Sequence, residues 1–371
     1  MIETPPLWMW LLGFLLVLGP LVTLHELGHY LVGRWCGVKA DAFSVGFGKE
    51  LVGYTDRRGT RWKLSALPLG GYVQFAGDMN PASQPSAEWL ALPAAERAQT
   101  FQARALWQKA LIVAAGPVVN FLVAIAILAG LNSAYGRLEV APVVQVLAQD
   151  GAAAQAGIAI GDRIVSIDGD AIDGFDEVPG RIAPHPGEPV TMVVDRDGEQ
   201  LSYSFTIRQV TEQDRFGNRF EIGQIGIGAG GGRLVPVGPV ESIGLAVQQT
   251  GQIMRAMVVG LWQIISGRRS VEELGGPIKI AKFSGEQLSL GWPQFIHFAA
   301  LISINLAFIN LLPIPALDGG HLAFYAAEAI RRKPASQRSQ EWAFRTGIAF
   351  VLALMLFVTI NDVATLPIWG R

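Results

Sequence analysis

Long apolar runs, rather than short alternating ones, dominate this chain, and runs of that length predict membrane-crossing helices. They cover residues 7–31, 106–131, 295–312 and 344–366. Each is close to the roughly 20 residues a helix needs to cross hydrocarbon. A further stretch, 243–265, is interrupted by Gln248, Gln249, Gln252, Arg255 and Gln263. That mixture predicts an amphipathic helix, lying on a membrane surface or packed on the core. The first run has no basic residue ahead of it, exceeds the apolar stretch of a secretory leader and is followed by no small-x-small site. It is therefore expected to persist as a membrane helix.

Between the first two runs the pattern changes. Segments around 43–48, 51–54 and 62–67 mix β-forming residues with glycine and close on Pro68-Leu-Gly-Gly-Tyr-Val-Gln-Phe75. Short strands with tight turns are expected there, re-entrant if protein or water shields them. Residues 79–100, rich in Pro, Ala, Ser and Gln, read as a surface loop. After the second run, strand-like stretches at 140–146, 190–196 and 203–210 alternate with glycine turns, including Asp197-Gly198. They predict one compact mixed domain, followed by a glycine-rich segment without a second repeat.

Charge orients this arrangement. Arg34, Lys39, Lys49, Arg57, Arg58, Arg61, Lys63, Arg97 and Arg104 lie between the first two runs, and Arg331, Arg332, Lys333 and Arg338 between the last two. Both loops are expected on the cytoplasmic side, with the 132–293 segment outside. The chain has 371 residues, half of them hydrophobic, and a formal net charge of −2, which offers no electrostatic footprint for nucleic acid. A single cysteine, Cys36, excludes an intrachain disulfide and zinc sites built from several cysteines.

The first run also holds the chemistry. Apart from His25, Glu26 and His29, residues 6–32 carry no group that charges near neutral pH. His-Glu-x-x-His on a helix sets both imidazoles on one face with a glutamate beside them, the arrangement that holds Zn²⁺ and supplies a general base. Ionisable groups are costly in hydrocarbon, so these mark a site. A third ligand must come from elsewhere. Cys36 and Glu50 are near in sequence; Cys36 reads as a buried thiol and Glu50 falls in the β-like loop. Asp318 is favoured. It follows a helix break at Pro313 and Pro315, and Gly319-Gly320 leaves room for close approach. His321 is an alternative ligand or an outer donor. Asn310 could hydrogen-bond a peptide carbonyl. Asn120 reads equally as packing glue between helices or as a substrate contact, and Gly116-Pro117 reads as a kink.

On His25-Glu-x-x-His29 and Asn310-x-x-Pro-x-Pro-x-x-Asp-Gly319, the chain resembles the site-2 proteases, intramembrane zinc metalloproteases, and most closely the bacterial regulator-of-sigma-E protease branch. Ala114-Ala-Gly-Pro-Val-Val-Asn-Phe121 and Gly275-Gly-Pro-Ile-Lys-Ile280 resemble further family segments, and residues 137–210 resemble a PDZ domain. The resemblance implies zinc ligation by His25, His29 and Asp318, catalysis by Glu26, and substrate or transition-state support from Asn310, with Asn120 and His321 as additional candidates. It implies a polytopic α-helical protein of the bacterial inner membrane, with four transmembrane helices, a membrane-associated β region and one periplasmic PDZ-like domain. The expected organisation is a membrane core in two parts, 1–131 and 293–371, enclosing the PDZ-like domain at 132–210 and a linker with the amphipathic segment at 211–292. Expected partners are the lipid bilayer, a transmembrane protein already shortened by another protease (an anti-sigma factor or remnant signal peptide), and a peptide C-terminus at the PDZ-like domain. A metal transporter or a non-catalytic PDZ-type receptor are the rival expectations. A transporter would be expected to place ionisable groups at several depths and often to repeat its halves; a receptor has no need of Glu26.

Overall fold

The computed structural model describes residues 5–77, 92–213, 219–267, 275–333 and 336–364. Its long helices are α1 (Leu7–Trp35), α2 (Leu106–Tyr135), α3 (Pro239–Ile265), α4 (Pro277–Ser289), α5 (Trp292–Leu311), α6 (Asp318–Arg331) and α7 (Gln337–Ala364). Four of these, α1, α2, α5 and α7, are long and apolar enough to cross a membrane. They coincide with the four apolar runs, with α1 and α2 extending past the C-terminal ends of theirs and α5 and α7 beginning before the N-terminal ends of theirs. The 29 residues of α1 span roughly 44 Å at 1.5 Å per residue, well beyond the hydrocarbon thickness. α3 matches the amphipathic stretch. α4 has no counterpart among the expected elements, because its polar residues mask any apolar run. Most of the 79–100 loop lies outside the described residues; 94–97 form a single helical turn.

The chain divides into two compact units: Met1–Leu128 with Gly275–Ile360, and Ala129–Leu274 with Asn361–Arg371. In the first, α4 lies close against α1. A side chain at Gly13 would come within 2.7 Å of the Ser284 carbonyl, and one at Gly285 within 2.7 Å of the Trp10 ring, so small residues set the spacing. Val17 and Leu21 of α1 pack with Phe295 of α5.

The same unit carries β1 (Ala40–Thr55) and β2 (Arg61–Phe75), antiparallel and bent. Their pairing runs in two ladders. Residues 40–45 lie between 61–64 and 71–75, while 50–55 pair with 61–65. Two long strands thus make a sheet of four segments, ordered 71–75, 40–45, 61–65, 50–55. Gly46 and Gly48, both at positive φ, allow the bend between the two halves of β1. At the inner end, Tyr30, Val38, Phe43, Phe75, Phe101 and Ile112 form a core joining α1, α2 and the sheet. The outer half leaves Phe47, Leu51, Val52, Leu64 and Leu67 exposed.

After the short strands β3 (Arg137–Glu139) and β4 (Val146–Leu147), the second unit is built on a four-stranded antiparallel sheet, ordered β6 (Asp170–Ala171), β5 (Arg163–Ile167), β7 (Pro189–Arg196), β8 (Glu199–Thr206). Alternation in β7 buries Val190, Met192 and Val194. They pack with Ile164, Ile167, Ile207 and Ile225, and with Ala153, Val178 and Ile182 from two short helices. Asp197 and Gly198 both take positive φ, as the tight hairpin turn between β7 and β8 requires. The strand expected at 203–210 is divided at Ile207 between β8 and a following strand, Arg208–Gln213.

An ion pair between a buried carboxylate and a partly exposed guanidinium braces this sheet. Asp162, 1% exposed at its side chain, accepts from Arg196 Nε and Nη2 at 2.7 Å each and from the Ala159 backbone N–H at 2.8 Å. The guanidinium is the main cause that holds the Asp162 carboxyl below the usual carboxylate range. A depressed folded-state pKa stabilises above the unfolded value, about 3.9, and that contribution is lost as pH falls through the lower folded value. Asp162→Asn is expected to cost about 1.5–3 kcal/mol locally, the worth of hydrogen bonds to a charged group. Amide hydrogen exchange of 163–167 and 189–206 in the intact protein at pH 7 should show the loss. Unchanged protection would remove the pair from the account.

Candidate metal centre

Three side chains from two distant parts of the sequence converge. His25 and His29 lie one turn apart on α1, and Asp318 opens α6. His29 Nε2 is 3.2 Å from His25 Nε2; Asp318 Oδ2 is 3.2 Å from His25 Nε2 and 3.5 Å from His29 Nε2. They form the cluster of potential metal ligands among the described residues.

Local sequence explains how Asp318 reaches the histidines. α5 ends at Leu311, and Leu312 is extended, as the residue before Pro313 tends to be. The chain turns back through Ala316, whose φ of 85° is a strained value for a residue with a side chain. It enters α6 at Asp318. Side chains at Gly319 or Gly320 would strike the carbonyls of Leu311, Leu312 and Ile314, so the double glycine allows this fold-back.

α2 closes the other side. A side chain at Gly28 would come within 2.7 Å of the Ala115 carbonyl, so α1 and α2 nearly touch there. One at Gly116 would come within 2.7 Å of His25 Cε1 and closer still to His29 Nε2. Gly116, read from the sequence as part of a kink, therefore makes room for both imidazoles. α2 also orients His29, whose Nδ1 lies 2.8 Å from the Ile112 carbonyl. A carbonyl can only accept, so Nδ1 carries the proton and Nε2 presents its lone pair to the cluster.

These residues fit a zinc ion. Donors about 2.0–2.1 Å from a tetrahedral zinc lie about 3.3 Å apart, which the observed 3.2–3.5 Å matches. Asp318 Oδ2 is buried with no hydrogen-bond donor among the described residues, as expected of an oxygen that serves as a ligand. Two imidazoles and a carboxylate leave one tetrahedral position open, the composition of catalytic rather than structural zinc sites.

The other candidates are distributed around this cluster. Glu26 is half-buried beside the histidines, hydrogen-bonded by the Val73 backbone, and β2 comes close at Gly71, where a Cβ would lie 3.1 Å from Glu26 Cγ. Asn120 is fully buried, with its side chain 3.2 Å from His25 Nδ1. Asn310 is half-buried in the last turn of α5. His321 follows Asp318 by three residues on α6, its ring 6.5 Å from that of Tyr325. Glu50 is paired with Arg61 at 2.5 Å, and Cys36 is a free buried thiol beyond the end of α1. Neither joins the cluster. Missed from the sequence were Ile112 and the role of Gly116 in making room for the imidazoles. A backbone carbonyl leaves no trace in residue type, and a glycine in an apolar helix signals only close approach to something.

Membrane-length helices around a His-His-Asp centre with an adjacent glutamate define a membrane-embedded zinc hydrolase. The chain belongs to peptidase family M50, whose model matches residues 13–354. A putative zinc metalloprotease of Agrobacterium fabrum is 45% identical over 362 residues, covering 96% of each chain. One from Rhizobium meliloti is 46% identical over 355 residues, covering 94% of this chain and 95% of that one. Metalloprotease MmpA of Caulobacter vibrioides is 34% identical over 377 residues, covering 95% and 94%. The crystal structure of a PDZ domain from an SdrC-like protein of Listeria monocytogenes covers 25% of this chain and 88% of that domain at 23% identity, with a TM-score of 0.19. The protein is a zinc-dependent, multi-pass membrane metalloprotease.

Proposed function

We propose that this protease hydrolyses peptide bonds within the transmembrane segments of single-pass proteins, after another protease has shortened their outer part. Anti-sigma factors and remnant signal peptides are the substrate class, and the regulator-of-sigma-E branch is the family niche. The observation that carries this reading is the seating of the metal ligands inside a membrane-length helix: His25 and His29 lie in α1.

His25, His29 and Asp318 hold the metal. Zinc, when bound, polarises the scissile carbonyl and makes water acidic enough to attack near neutral pH. Glu26 takes the proton of the attacking water and delivers it to the leaving amine. Asn310, and His321 beside Asp318, donate to the carbonyl oxygen as it gains charge. A helical substrate hides its carbonyls in internal hydrogen bonds and must unwind first. The 71–75 segment, at the sheet edge and next to Glu26, offers a strand on which the unwound peptide can pair. The exposed apolar residues on the outer half of the sheet suit a membrane-associated element, re-entrant only where protein or water shields its backbone.

The basic loops 34–104 and 331–338 favour a cytoplasmic position for the metal end of the membrane core, in the inner membrane, with the second unit periplasmic. Residues 137–210 act there as a PDZ-like gate that admits a shortened substrate and excludes an intact one, either by size or by receiving a peptide C-terminus. Deleting 137–210 across a flexible linker is expected to retain cleavage of a shortened substrate and to raise cleavage of an intact one. If cleavage of the short substrate disappears while zinc content and folding persist, the domain is a recognition element and gating is wrong.

A further inference from the structure

Asn120 lies in the middle of α2, with 0% of its surface exposed. A fully buried amide has two donors and an acceptor to satisfy, and an unmet one is costly. Its neighbours are specific. Its backbone carbonyl accepts from Ser303 Oγ of α5 at 2.8 Å. Its side-chain nitrogen lies 3.2 Å from His25 Nδ1, and its side-chain oxygen is buried with no partner among the described residues.

An amide nitrogen facing His25 Nδ1 conflicts with the metal centre. If the nitrogen donated to His25 Nδ1, that atom would carry a lone pair and the proton would sit on Nε2. Nε2 is the atom 3.2 Å from both His29 Nε2 and Asp318 Oδ2. A protonated Nε2 has no lone pair for a metal. Amide oxygen and nitrogen have nearly the same shape, and their assignment follows from the hydrogen bonds around them. Rotating the amide by half a turn removes that conflict and gives the oxygen a partner. Oδ1 then accepts from His25 Nδ1–H, and Nε2 is free to ligate. His29 already shows this pattern, with Nδ1 against the Ile112 carbonyl.

We propose that Asn120 is a positioning residue for zinc: through Oδ1 it accepts from His25 Nδ1–H, fixes the tautomer that ligates, and holds the ring toward Asp318. Both metal-binding imidazoles are then oriented by acceptors eight residues apart on α2, one from the backbone and one from a side chain. The Ser303 contact ties that helix to α5, which leads into Asp318. Full burial behind His25 assigns Asn120 to the ligand rather than to the substrate. The inference rests on His25 ligating through Nε2.

The test is zinc affinity of the purified full-length protein, measured by competition with a chromogenic chelator, for the native protein, Asn120→Leu and Asn120→Asp. Leucine is similar in size and offers no acceptor, so zinc affinity should fall roughly 10–100-fold, as for other lost outer partners of metal-bound histidine. Aspartate keeps an acceptor and strengthens it, so affinity should equal or exceed the native value. That rescue separates positioning from packing, since a carboxylate is the worse packing residue. If Asn120→Leu does not fold, the aspartate variant still decides: an acceptor role predicts retention, whereas a donor role predicts loss because two electron-rich atoms would face each other. A tenfold loss in Asn120→Asp, or native affinity in folded Asn120→Leu, overturns the proposal. Absence of zinc binding by the native protein would instead overturn the centre itself.

Discussion

Glu26→Gln is expected to keep about one zinc per chain and to lose at least about a hundredfold in cleavage rate, the lower end of what general-base catalysis contributes. The substitution leaves His25, His29 and Asp318 in place, so the metal has no reason to leave. Glutamine also fits the same space beside Gly71 and can still meet the Val73 backbone. What it cannot do is accept a proton from water. Rate and metal content measured on one preparation separate the two properties. A variant that cleaves at the native rate would remove Glu26 from the mechanism, and one that loses zinc would mean the glutamate acts as a ligand.

Gly116→Ala should be as damaging by the opposite route. One added methyl would intrude on both imidazoles where α2 crosses α1. Metal–ligand distances tolerate about 0.2 Å, so a ring pushed aside by more than that leaves the coordination sphere. Zinc affinity is expected to fall by more than the roughly 10–100-fold typical of a lost outer partner, with activity following it. Gly130→Ala on the same helix is the control. Among the described residues nothing outside its own helix lies within 4 Å of the added carbon, and alanine is the better helix former, so zinc and activity should be native. Stoichiometric zinc in Gly116→Ala would show that the two helices can separate at little cost.

The contrast between these residues shows what the sequence makes legible. Glu26 can be read directly, because His-Glu-x-x-His needs only helical spacing to place its parts and an apolar surrounding to mark it as functional. Asp318 is almost 300 positions away, and no period links it to His25. It can be found because Pro313, Pro315 and the double glycine mark a break where an acidic residue has no structural reason to lie in an apolar region. Gly116, Ile112 and the orientation of Asn120 depend on how closely α1 and α2 approach, which residue types do not encode. The same holds for the sheet. Glycine and β-forming residues announce strands between 40 and 75, but the double pairing of 40–45 depends on a bend whose register follows from three-dimensional closure. α4 is hidden for a different reason: it contributes small residues to the α1 contact rather than an apolar stripe.

The central claim is hydrolysis of a membrane-embedded peptide by zinc held at His25, His29 and Asp318. Its most direct test uses the purified protein in liposomes with a single-pass reporter, assayed as isolated, after chelation, and after zinc is restored. Cleavage within the reporter's transmembrane segment should vanish with the chelator and return with zinc. Cleavage that persists in metal-free protein would contradict the claim, as would zinc-dependent ion uptake or reporter binding without any cut peptide bond.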